Sequence, residues 1–478
     1  MKNTLLITSL ISSVLFANVP FTNKNAKAPN PSNFLRIYNW EDYIYEPESE
    51  GDDPSIIDQF KAYYKEKTGI DVTVEYITFA TNEEMYNKLE LSKLQYDLLC
   101  PSDYMIQRLI REDKLEKFTY DSATKTYTNI SNYNDFASPY LRDIFEENNW
   151  SEYSVGYMWG TMGFIYNTEV TDAEDLNTWN VLWNDKYQHK VSIKDSMRET
   201  YLTGLFRVHH DALLELKAQY EAGTLTAKEY NNKITDLLND TSDETIKKVE
   251  KELNVLKTNI YGFEVDSGKH DIVTGKIAIN TAWSGDAVYS IGEAPDKLRY
   301  AVPSEGTNVW FDGWVMPKGA NVALAEEFIN FISNPSVAIQ NVDYIGYTSF
   351  IAGEDMMDYI EAHDEYNADG ANVVDLTYFF GDTIADPTRA KIKTDVLGGQ
   401  LTTQFPSEEE ITRAAVMRDF GDKNEDVVAM WTRIRSTPMS PILIVIAVVV
   451  PVALIIIIIF MIVSKKKSSR NRRKVKKS

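Results

Sequence analysis

Four short stretches of the chain set indole or phenol rings beside carboxylates. They are Trp40-Glu41-Asp42-Tyr43, Ser102-Asp103-Tyr104, Trp283-Ser284-Gly285-Asp286 and Trp310-Phe311-Asp312. A fifth, Asp195-x-x-Arg198-Glu199, holds two acids at helical spacing. Carboxylates accept charge-assisted hydrogen bonds from ammonium groups. The faces of Trp and Tyr attract cations by roughly 0.5–2 kcal/mol each. Aromatic walls also bury methylenes, at about 0.8 kcal/mol per CH2. The combination suits an organic cation, above all a methylene chain with ammonium ends. A sugar would use the rings but does not call for so many acids. One indole beside one aspartate is ordinary structure; five clusters of this kind shift the reading towards a site.

Other chemistries fit less well. Asp195 and Glu199 could form the carboxylate pair of a glycoside hydrolase. No nucleophile elbow, phosphate loop or metalloprotease helix accompanies them, so no enzymatic activity is expected. The single cysteine, Cys100, closes the apolar stretch Tyr96-Asp-Leu-Leu-Cys100 and reads as a buried strand residue. It excludes a disulfide framework. None of the five histidines, His189, His209, His210, His270 and His363, pairs with another His or Cys at a familiar ligand spacing. No metal and no cofactor are expected. An adhesive ectodomain would leave the clusters unexplained.

The elements that must carry these residues alternate. Leu35–Asn39 and Asp71–Ile77 read as strands, and so does Tyr96–Cys100. Pro54–Lys67 reads as a helix with Ile56, Ile57, Phe60 and Tyr64 on one face. Asn82 is placed as the cap of a helix over Glu83–Ser92, and Ser102 or Asp103 as the cap of one reaching Glu112. Strand and helix in alternation imply an α/β lobe with a largely parallel sheet. Ligands of such sheets sit beyond the carboxyl ends of the strands, which is where the clusters fall. Leu205–Lys257 reads as charged surface helices of a second lobe, with capping boxes at Thr226-x-x-Glu229 and Thr241-x-x-Glu244. Strands return at Lys276–Ala282 and Trp314–Met316, and a helix at Ala323–Ile332 stops near Pro335.

The chain has 478 residues, 49 Lys+Arg against 71 Asp+Glu, and a net charge of −22. So large an excess of acid argues against a nucleic-acid partner. The length suggests two or three domains. The charge is uneven: Ser464–Ser478 holds nine basic residues and no acid. In front of it, Pro441–Val463 is a run of 23 residues without charge. As a helix that run would span roughly 34 Å, enough for a hydrocarbon core of about 30 Å. It is expected to be a transmembrane helix, with the basic tail cytoplasmic and the acidic body outside the cell. At the other end, Lys2 and the apolar run Thr4–Ala17 resemble a signal peptide, with Ala26-Lys27-Ala28 as a small-x-small cleavage site.

The order of motifs carries a resemblance. Ile37-Tyr-Asn-Trp-Glu-Asp-Tyr43, Glu84-Met-Tyr-Asn-Lys-Leu89, Tyr96–Tyr104, Tyr157-Met-Trp-Gly160, Asp195–Glu199, Trp283–Asp286, Trp310–Pro317 and Ile345-Gly-Tyr347 resemble the spermidine/putrescine-binding proteins of bacterial polyamine ABC importers. The agreement covers roughly residues 35–350. It implies a two-lobed α/β fold of the periplasmic-binding-protein type II, with the ligand cleft between lobes, to which the C-terminal transmembrane helix would be added. The implied organisation is a signal segment 1–28, a first lobe 33–160 with its return 311–352, and a second lobe 161–310 with its return 353–437. The span 441–463 and the tail 464–478 would follow.

The resemblance also implies roles. Trp40, Tyr43, Ser102 and Tyr104 would be first-lobe contacts. Glu199 would bind an amine from the second lobe, with Asp195 beside it. Trp283 and Trp310 would wall the alkyl chain, Asp312 would bind an amine, and Tyr347 would cap the cleft. Asp42 and Asp286 resemble acids of the putrescine-preferring branch, and Trp310 is similar to the spermidine-preferring one. A glutamine contact of the family falls on Met417 and Arg418 here, and a serine contact near Val265. The partners implied are a polyamine and the permease and ATPase subunits of an importer, with a monomeric ectodomain held at the membrane by its C-terminal helix. A sugar, iron or thiamine is the alternative ligand within this architecture.

Overall fold

The computed structural model describes residues 30–436, Glu50 excepted. Phe34–Trp40 and Thr73–Phe79 pair in parallel along seven residues, from Phe34 opposite Thr73 to Trp40 opposite Phe79. Between them lies the helix Ile56–Thr68, which buries Ile56, Ile57 and Phe60 and ends at Gly69, whose φ of 74° is the left-handed conformation a helix stop favours. The short strand Leu98–Leu99 adds in parallel on the other side of the first strand.

A second set of parallel strands, Val191–Lys194, Gly262–Glu264 and Ile279–Trp283, forms the other end of the same hydrogen-bonded path. Two long strands join the ends. Ser154–Asn167 and Thr307–Pro317 are buried along nearly their whole length and run antiparallel to each other. The C-terminal half of the second pairs with Leu99 through Val315, while the C-terminal half of the first pairs with Ile279–Trp283. Each strand therefore belongs to both lobes. Their register slips between Asp312 and Gly313, and such an irregularity re-aims the side chain beside it.

Local readings hold in part. The Thr226–Glu229 capping box forms. The second box does not: Ser242, one residue later, caps Asp243–Asn259 by accepting from the Thr245 N–H. Thr81 replaces Asn82 as the cap of Asn82–Leu91. Pro335 opens the helix Pro335–Ile345, its missing N–H costing nothing at a first turn.

One expectation is corrected. Among the described residues no helix is long and apolar enough to cross a membrane. The stretches read as leader, span and tail (1–28, 441–463 and 464–478) lie outside the described residues. The fold class of the described residues is the two-lobed α/β frame, and the added transmembrane helix is not supported among them. The single-pass placement with a cytoplasmic tail is likewise not supported among the described residues.

Candidate functional site

Between the lobes lies a cleft of about 550 Å³. All twelve residues singled out above line it: Trp40, Asp42, Tyr43, Ser102, Tyr104, Asp195, Glu199, Trp283, Asp286, Trp310, Asp312 and Tyr347. The parallel strands deliver most of them, since Trp40 and Trp283 end strands and Ser102 and Asp195 follow strands closely. The crossing strand Thr307–Pro317 supplies Trp310 and Asp312.

Asp312 is the most constrained acid. Its carboxyl is buried, Oδ2 accepts a 2.7 Å hydrogen bond from the Tyr43 hydroxyl, and Oδ1 has no hydrogen-bond partner among the described residues. Burial pushes this carboxyl up to about 7, although the hydroxyls of Ser102 and Tyr43 pull the other way. Tyr43 is itself held by Tyr157, whose hydroxyl donates to the Tyr43 carbonyl at 2.8 Å. Rings close the wall: Tyr43 and Tyr347 meet edge to face at 5.6 Å, and Trp310 and Tyr347 at 5.1 Å. Tyr347 can lie this close only because residue 285 is glycine; a Cβ there would come within 2.4 Å of the Tyr347 ring.

On the first-lobe side, Asn82 acts as a clamp. Its Nδ2 donates to the Ser102 hydroxyl at 3.1 Å and to the Tyr104 hydroxyl at 3.0 Å. Tyr104 in turn donates to Glu83 at 3.2 Å. Asp103 is buried, and its carboxyl is pushed well above the usual carboxylate range by that burial. Arg198, also buried, places its guanidinium 4.1 Å from the Tyr104 ring and 3.5 Å from the Phe420 ring. The lobes also meet through Arg111 and Asp419 at 2.6 Å and through Gln107, which donates to the Met417 carbonyl at 2.9 Å.

Two of the acids read as candidates already hold cations of the chain. Asp195 is paired with Arg435 of the helix Asn424–Arg435. Asp286 lies 2.9 Å from the Lys194 ammonium and also accepts from the Tyr347 hydroxyl at 3.3 Å. Glu199 takes the hydroxyl of Ser196. Asp42 stands exposed at the rim, in the left-handed region at φ 50° that Asp tolerates. Met417 and Val265 line the cleft, whereas Arg418 turns outward to Asp236 at 2.7 Å.

Asn82, Glu83, Lys194, Lys269 and His270 also line the cleft without having been singled out. For Lys194 a signal exists: a lysine in the otherwise uncharged strand Val-Ser-Ile-Lys must find buried partners. For Asn82 the reading of a helix cap masked the role. In all, ten carboxylate residues line the cleft against two lysines and one histidine. Such a cavity favours cations over anions.

Two α/β lobes, joined by strands that cross between them around a cleft, make the frame of a solute-binding protein. The chain belongs to the bacterial extracellular solute-binding protein family, whose profile matches residues 56–374. These relatives bind substrates for transport and are not enzymes. The chain is 28% identical over 315 residues to the spermidine/putrescine-binding periplasmic protein of Salmonella typhimurium, covering 66% of this chain and 76% of that one. The substrate-binding protein PotD of a spermidine/putrescine ABC transporter from Streptococcus pneumoniae superposes with a TM-score of 0.54 at 25% identity, over 84% of this chain and 100% of that one. A spermidine/putrescine ABC transporter protein from Listeria monocytogenes shares the fold, with a TM-score of 0.59 at 24% identity over 84% of this chain and 99% of that one.

Proposed function

We propose that this protein is the polyamine-binding subunit of an ABC importer, taking spermidine or putrescine from outside the cell and delivering it to the permease. The observation that carries this reading is the buried Asp312, with one carboxylate oxygen held by Tyr43 and the other, beside aromatic walls, unpartnered among the described residues. An ammonium donating to that oxygen would recover the cost of its burial. The methylenes would then lie along Trp310 and Trp283, and Glu199 would take a further amine. The hinge would lie in the two crossing strands, near Tyr157–Gly160 and Trp310–Gly313, because these join the lobes. Closure about them would trap the ligand. The ABC permease and ATPase are the partners this reading requires.

Calorimetric titration of the full-length chain with putrescine, spermidine, spermine and maltose tests it. One-to-one binding of a polyamine and none of maltose is expected. Binding of maltose, or of no polyamine, would overturn the ligand assignment while leaving the fold intact.

A further inference from the structure

The cleft contains a cation that belongs to the protein. Lys194 ends the strand Val191–Lys194, its side chain is 1% exposed, and its ammonium lies 4.4 Å from the centroid of the Trp283 ring. The same ammonium meets Asp286 at 2.9 Å, Glu264 at 3.3 Å and the carbonyl of Val265 at 2.9 Å. An indole face with carboxylates and a carbonyl around it is the environment that a ligand ammonium seeks. Burial pulls the lysine's pKa down, but Asp286 and Glu264 pull harder, and the net direction is up. Both carboxylates therefore favour the charged ammonium at this place.

We propose that Lys194 sets the cation specificity of the cleft, its own ammonium occupying the place between Trp283 and Asp286 that one amine of a ligand would otherwise take. The proposal rests on the reading of the cleft as a site for organic cations. It separates the acids into two kinds. Asp312 has an oxygen to offer; Asp286 has spent its Oδ2 on Lys194 and its Oδ1 on Tyr347. A ligand is then anchored at Asp312 and gains nothing from an extra amine near Trp283. Glu264 is positioned to keep the lysine there: its Oε2 accepts from the Gly268 N–H at 2.8 Å, which fixes the carboxylate. The cleft thus favours the polyamine with fewer amines, since an ammonium brought to the Trp283 end would enter it desolvated and unpaired.

The test is K194A in the full-length chain, with methylammonium chloride as the probe. Emptying the place leaves the buried Glu264 and the part-buried Asp286 without their cation, so the variant melts lower than the parent. Methylammonium is expected to raise the melting temperature of K194A well above the effect of sodium chloride at equal ionic strength. For the parent chain, where Asp312 alone offers a place, its excess over sodium chloride should be smaller. The affinity for spermine relative to putrescine is expected to rise about tenfold in K194A, as for one gained charge-assisted hydrogen bond. Equal effects of the two salts on K194A, or an unchanged spermine/putrescine ratio where both bind, would overturn the proposal. If methylammonium rescues K194A while neither chain binds any polyamine, the subsite stands and the polyamine reading falls. Should K194A not fold, K194A/E264Q removes the cation together with its buried partner and keeps Asp286 for the probe.

Discussion

The hydroxyl of Tyr43 and the carboxylate of Asp312 are joined by a 2.7 Å hydrogen bond that links the turn after the first strand to the middle of a crossing strand. It occupies Oδ2 and leaves Oδ1 for a ligand. Asp312→Asn keeps the shape and removes the charge. Polyamine affinity should fall about ten- to a hundredfold, the worth of a hydrogen bond to a charged group. Tyr43→Phe should cost less, about three- to tenfold, because the carboxylate remains. Calorimetry on both variants checks the order; equal losses would contradict it.

The raised Asp312 carboxyl carries a pH dependence. Its folded value of about 7 lies above the ordinary carboxylate value of 3.8, so the free protein holds a proton there that the unfolded chain has lost. Between these values the group's contribution to stability falls as pH rises. A bound ammonium favours the charged form, so affinity should rise about tenfold from pH 6 to pH 8, with proton release on binding below pH 7. Asp312→Asn should flatten that profile. Titrations in buffers of different ionisation enthalpy would reveal the proton, and a flat profile in the parent chain would count against the assignment.

Gly285 sits under the Tyr347 ring, where a Cβ would approach to 2.4 Å. Gly285→Ala forces the ring away from Trp310 and Tyr43. Affinity is expected to fall about tenfold, by the loss of ring contacts and of the closed wall. Melting temperature should change little if Tyr347 swings into the cleft. Tyr347→Ala should then lose affinity by a similar factor, and the double variant no more than either alone. Additive losses would show that the glycine acts elsewhere.

Asn82 holds Ser102 and Tyr104 with one amide group. Asn82→Ala leaves two hydroxyls to find new partners in a half-buried setting. A stability loss of about 1–3 kcal/mol is expected, with a several-fold loss of affinity. Denaturant unfolding and calorimetry measure the two. Asn82→Asp cannot donate but still accepts from the Ser102 N–H, so it should fall between Asn82→Ala and the parent chain.

Much of this protein was written locally. Alternation at Phe34–Trp40 and Thr73–Phe79, and the apolar face of Ile56–Thr68, follow from side-chain periods of two and 3.6 that any reader of the chain can count. The aromatic and acidic clusters were equally plain, because strand ends place neighbouring residues in one crevice. Caps were less legible. Asn82 and Thr81 both suit a helix start, as do Thr241 and Ser242, and the cap hydrogen bonds fall to Thr81 and Ser242.

What the amino-acid order determined, then, is the class of chemistry: acids and rings at the ends of strands, hence a cation. Which acids remain free was decided only by the fold. Asp195 and Asp286 look like Asp312 along the chain, but Arg435 lies 240 positions from Asp195 and Lys194 lies 92 positions from Asp286. The sheet and the helix Asn424–Arg435 bring those cations in, and the crossing strands bury Asp312 with one oxygen unpartnered among the described residues. A carboxylate's availability depends on what reaches it through space, and sequence spacing carries no record of that distance.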